Sequence, residues 1–71
     1  MKIEWEQIAV GMSVDIWERN SEGEEIHVAR GIVVSKELGR WVTLTTALAP
    51  WSSIRYQLDG YLTAHTLAQK T

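Results

Sequence analysis

Apolar residues recur at every second position through much of this chain, and the phase of that alternation predicts strands. From 12 to 18, Met12, Val14 and Ile16 share one face, while Ser13, Asp15 and Trp17 share the other. Residues 19–24 include Asn20, Ser21 and Gly23 and read as a polar hairpin loop. A longer strand follows over residues 25–35, where Ile26, Val28, Ile32 and Val34 share a parity with Arg30 among them. Eleven extended residues would reach about 36 Å, too far for a straight strand in a small domain. Gly31 therefore predicts a bend or bulge at residues 29–31, which takes Arg30 out of the core and turns Val33 inward.

Residues 36–39 are a turn signal, and residues 40–46 form the third strand. Val42 and Leu44 take one of its faces; Trp41, Thr43 and Thr45 take the other. Pro50 ends that strand within residues 47–53. Ile54, Tyr56 and Leu58 alternate as the fourth strand. Asp59-Gly60 is the strongest hairpin signal in the chain, so residues 61–64 are expected to return beside it. At the start, Trp5, Ile8 and Ala9 allow one helical turn, while Ile3 and Trp5 also alternate like a short strand. The expected form is an irregular lead-in that lays Trp5 and Ile8 over one end of the domain. The polar tail offers Leu67 as an anchor, or a short helix through Gln69 capped by Thr63.

Six valines, six isoleucines and six threonines among 71 residues reinforce the β reading. The length allows one domain, residues 1–71. Four to five short strands with a tight turn and a bend imply an all-β, partly open antiparallel barrel of about five strands. The chain here resembles the SH3-like barrel superfamily. The resemblance lies in the entry Ile8-Ala9-Val10-Gly11-Met12-Ser13-Val14, the bent Gly31-Ile32-Val33-Val34 and the late Asp59-Gly60. It covers most of the chain as a pattern, implies a binding module rather than a catalyst, and carries over no functional residue. The aromatic set with which true SH3 domains hold proline is not recognisable. The size and the lack of family motifs also resemble small phage or mobile-element proteins.

The absence of cysteine removes disulfides, thiolate nucleophiles and cysteine-held zinc. No apolar run reaches the ~20 residues of a membrane span, so a cytoplasmic protein is expected, with no membrane partner. His27 and His65 lack metal-ligand spacing, and no Ser-His-Asp arrangement or phosphate-cradling glycine loop occurs. No cofactor and no catalysis are expected. His27 is expected to face solvent from its strand.

Four tryptophans in so short a chain suggest a further use for aromatic surface. Parity leaves Trp17 and Trp41 on the solvent side, where indoles serve as binding anchors or as a satellite core under the lead-in or the 47–53 loop. The first use implies a protein partner or a homodimer, with Trp51 and Tyr56 as further contacts. Charge is uneven: residues 1–37 hold eight acids and four bases, net −4, and residues 38–71 hold one acid and three bases, net +2. Glu22, Glu24 and Glu25 make the hairpin acidic. Such a loop is either simply solvated or tunes partner choice, and in a small inhibitor it would enter a basic groove. The rival reading is a nucleic-acid-binding barrel using Arg30, Arg40, Arg55 and Trp41. Cations would meet phosphate and the ring would stack on a base, though the net charge of −2 supplies few cations.

Overall fold

The computed structural model describes residues 2–46 and 49–66. They form one antiparallel sheet of six strands: β1 Lys2–Ile3, β2 Ser13–Arg19, β3 Glu25–Glu37, β4 Trp41–Thr46, β5 Ala49–Gln57 and β6 Leu62–Thr66. The order across the sheet is β1-β6-β2-β3-β4-β5, so the sheet is all-β and not closed. The count is six strands instead of about five, because the lead-in contributes β1 at one edge.

Alternation forms β2 and β4 as expected. Val14, Ile16, Val42 and Leu44 are buried on the inner face of the curled sheet. Ile3, Ile8, Val33, Leu58 and Ala64 complete that core among the described residues. The lead-in folds as a single 3₁₀ turn, Trp5–Gln7, whose first turn is tightened by the Glu4 N–H donating to Gln7 Oε1. It is held down from both sides. The Trp5 Nε1–H donates to the Trp41 carbonyl at 3.2 Å. Lys36 Nζ donates to the Ile8 carbonyl at 2.7 Å and lies 4.1 Å from the centre of the Trp5 ring.

The long third strand is broken in two places. Ile16 faces Ala29 while Trp17 faces His27, so Val28 is the extra residue of one bulge. Val33 faces Leu44 while Ser35 faces Thr43, so Val34 is the extra residue of another. The irregularity thus sits one residue before the 29–31 bend, and a second one follows it. The consequence is as expected for Val33, which is fully buried, and for Arg30, which leaves the core. Ile26, Val28, Ile32 and Val34 all remain exposed. Gly31 is needed for a different reason, namely space: a Cβ there would lie 2.5 Å from the Thr45 carbonyl oxygen.

Two expectations about pairing fail. The third strand does end at Thr46 as expected, but residues 49–53, read as a loop around Pro50, already belong to β5, which begins at Ala49. That strand lies at the sheet edge, where a missing N–H costs no ladder bond. Nor does β6 return beside β5. It inserts between β1 and β2, with Ala64 opposite both Ile3 and Ile16. Asp59-Gly60 still turns the chain, as Asp59 Oδ1 accepts from the N–H groups of Tyr61 and Leu62 and Gly60 has φ 104°. A tight turn specifies reversal, not the neighbour. Ala64 is buried there between Ile3 on one neighbouring strand and Ile16 on the other, all three in the same core. Thr63 lies within β6, so it caps no helix. Leu67 and the rest of the tail fall outside the described residues.

Candidate functional site

The outer face of β2, β3 and β6 carries a polar cluster built by register. Asp15 lies opposite Arg30 on β3 and His65 on β6, and Trp17 lies opposite His27 and Thr63. Asp15 Oδ1 accepts from Arg30 Nε at 2.8 Å and lies 2.8 Å from His27 Nε2. Trp17 packs edge-on against both imidazoles, with ring centres 5.1 Å from His27 and 6.0 Å from His65. Asp15 is buried by these neighbours although its parity is that of the outer face. The Arg30 hydrogen bond holds its carboxyl below the usual value of 3.8. Burial opposes that shift, while the His27 contact and both positive charges add to it. Arg30 is correspondingly raised above its usual value by Asp15.

A depressed carboxyl pKa has a definite sign in stability. The folded state holds its proton less tightly than the unfolded chain, so Asp15 contributes stability above the unfolded value. That contribution fades as pH falls through the lower folded value. Asp15→Asn is expected to lower stability by about 1–2 kcal/mol at neutral pH, with the gap from wild type narrowing as the pH falls below the ordinary carboxylate range. Urea titrations of both proteins across acid pH check this. A gap independent of pH would mean that the charge of Asp15 contributes nothing.

The cluster has the residue types of acid–base chemistry but not the arrangement. Thr63 Oγ1 and Glu25 Oε2 both approach the same nitrogen, Nε2 of His65, at 3.3 and 3.5 Å. A relay needs the hydroxyl and the acid on opposite ring nitrogens. Asp15 is likewise engaged by a guanidinium. Among the described residues no buried side-chain polar atom lacks a partner, and no group of three or more acidic or histidine side chains is placed to hold a metal. His27 is partly exposed, as expected of its strand position, yet anchored to Asp15.

The other sequence-derived candidates are spread around the molecule. Trp41 is half-buried on the outer face of β4, under the Arg55 guanidinium 4.5 Å above its ring. Arg55 is also paired with Glu37 at 3.1 Å. Arg30 is on β3 with Asp15, and Arg40 is exposed in the β3–β4 turn at φ 65°. The structure therefore brings Arg55 and Trp41 together but gives two of the three arginines to carboxylates. Glu22 and Glu24 are exposed in a loop folded around Asn20, whose Oδ1 accepts from both of their N–H groups. Glu25 sits 3.7 Å from Arg19.

Trp51 is 83% exposed and Ile54 is 58% exposed, both on the edge strand β5. Ile54 and Tyr56 face Val28, Ala29 and Leu44 across a groove of about 350 Å³, with Arg30 at its rim. This groove was not legible in the sequence. Ile26, Val28 and Ile54 have the alternation of core residues, and nothing local says that the sheet stops short of covering them. The signal that could have pointed to it is β3 itself: a strand too long to be paired along both edges leaves part of one edge free. No helix among the described residues is long and apolar enough to cross a membrane. Compared with known proteins, the chain matches no family model, no curated protein and no solved structure.

Proposed function

We propose that this protein is a non-catalytic binding module that engages a protein partner through the open side of its sheet, between the first half of β3 and the edge strand β5. One observation carries the reading. Val28 and Ile54 line a groove while remaining 42% and 58% exposed, and the same two strands carry the exposed Ile26 and Trp51. Contiguous apolar surface left uncovered on a small domain marks an interaction site. The neighbouring edge of β5 has no strand partner among the described residues, so an extended segment can add main-chain hydrogen bonds as well as side-chain contacts. The resemblance to SH3-like barrels favours the same class of activity.

Trp51 and Tyr56 belong to this surface. Trp17 and Trp41 lie on the outer face, each already packed against a cation or imidazole of its own chain. The acidic loop selects among partners by charge. A nucleic-acid reading rests on the Arg55–Trp41 pair alone, with Arg30 and Arg55 already neutralised by Asp15 and Glu37.

The test is selection of displayed random peptides on the immobilised protein. Apolar, extended peptides are expected to be enriched, and Ile54→Lys is expected to weaken them at least about tenfold. Leu38→Lys, in an exposed turn remote from the groove, is expected to leave binding unchanged. Absence of enrichment, or peptides that bind Ile54→Lys and Val28→Lys as well as wild type, would overturn the reading.

A further inference from the structure

We propose that a second site on this protein, the small cleft between β1, the β3–β4 turn and the β5–β6 turn, binds a doubly charged phosphate group. The cleft holds about 60 Å³, room for one small oxyanion while any carrier stays outside. The buried Ile3 and Leu58 line it together with Lys2, Glu4 and Arg40. None of these residues lines the β3–β5 groove, so the site is separate from the docking face.

The distribution of unpaired cations carries the proposal. Six lysines and arginines lie among the described residues. Arg19, Arg30 and Arg55 are paired with Glu25, Asp15 and Glu37. Lys36 donates to the Ile8 carbonyl. The remaining two, Lys2 and Arg40, make no ion pair or side-chain hydrogen bond among the described residues, and both line this one cleft. Like charges gathered in one place repel, and an anion between them removes the repulsion. Arg40 is strained as well. Its φ of 65° lies in the left-handed region that glycine adopts freely, and its carbonyl is held there by the Leu58 N–H at 2.9 Å. The turn thus keeps a strained arginine whose guanidinium serves no other group among the described residues. The charge of the ligand follows from the walls. Glu4 lines the cleft without pairing with either cation, so two cations and one carboxylate leave it net positive by one charge. Attraction scales with the charge of the ligand, so a phosphate dianion gains about twice what a carboxylate or a nucleic-acid phosphodiester gains.

Chemical-shift titration of the isotope-labelled protein with inorganic phosphate at about pH 7.5, where the dianion predominates, tests the proposal. Ionic strength is held constant with chloride, so that screening does not vary. Saturable shifts are expected at Lys2, Ile3, Arg40 and Gly60, all of which line the cleft. Arg40→Gly, compatible with folding because glycine takes that conformation without strain, and Lys2→Gln are each expected to weaken binding about five- to tenfold. Glu4→Gln is expected to tighten it about two- to threefold. Arg55→Gln, which touches only the Glu37 and Trp41 contacts, is expected to leave it unchanged. Acetate is expected to bind the same residues more weakly. O-phosphoserine, compared with inorganic phosphate, separates a monoester from the free ion as the source, and tighter binding of either at these residues supports the proposal. No saturation by about 50 millimolar phosphate overturns it. So do shifts that survive in both Arg40→Gly and Lys2→Gln, or acetate that binds as tightly as phosphate.

Discussion

Gly31→Ala is expected to destabilise the fold by about 2–3 kcal/mol, although it adds a single methyl group. At this point β3 passes from pairing with β2 to pairing with β4, opposite Val14 on one side and one residue before Ile32 meets Thr45 on the other. An added Cβ would stand 2.5 Å from the Thr45 carbonyl oxygen and 3.2 Å from Leu44 Cβ. The nearer atom is backbone and cannot rotate away, so the β3–β4 ladder has to open. Gly23→Ala provides the contrast. Gly23 has φ +83° and open space for at least 4 Å around the position a methyl would take, so its cost is conformational strain alone, about 1 kcal/mol. Urea midpoints of the two variants check the difference. Equal losses, or a Gly31→Ala protein as stable as wild type, would show that Thr45 withdraws freely and that β3 and β4 are not locked together there.

Ile16→Ala is expected to cost about 3–4 kcal/mol, which approaches the whole stability of a domain this small. Ile16 is fully buried at the centre of β2. Its cross-strand partners are Ala29 on β3 and Ala64 on β6. With an alanine opposite it on either side, neither cross-strand neighbour has a side chain long enough to collapse into the void. Ile16→Val removes one methylene and is expected to lose only about 1 kcal/mol. Circular dichroism at room temperature and urea titration check both. A loss below about 1.5 kcal/mol for the alanine variant would mean that the sheet closes over the gap.

The faces of β2 and β4 were legible because alternation is a local property. Val14, Ile16, Val42 and Leu44 point to the core in the structure as they do in the pattern. The hairpin loop was legible because Asn20 and Gly23 are turn residues, and Asn20 indeed closes the loop with its side chain. The third strand was half legible. Its length demanded a break, but the break falls at Val28 and again at Val34, where neither residue type announces it. Asp15 was harder still. Its parity assigns it to the outer face, and only the pairing of β3 and β6 on the two sides of β2 brings Arg30, His27 and His65 beside it.

By itself, then, the amino-acid sequence determined that this is a β protein without disulfides, where its clearest strands alternate, and that its tryptophans exceed what alternation places inside. Each of those follows from properties of a few consecutive residues. The tertiary structure alone decided that β6 slips between β1 and β2, that β5 is left at an edge, and that Val28 and Ile54 stay wet across a groove. Strand neighbours are chosen by competition among segments far apart in the chain, settled by which set of side chains fills the interior. Asp59-Gly60 can reverse the chain, but where the reversed strand lies is settled by Ala64 fitting into the core between Ile3 and Ile16 on its two neighbouring strands.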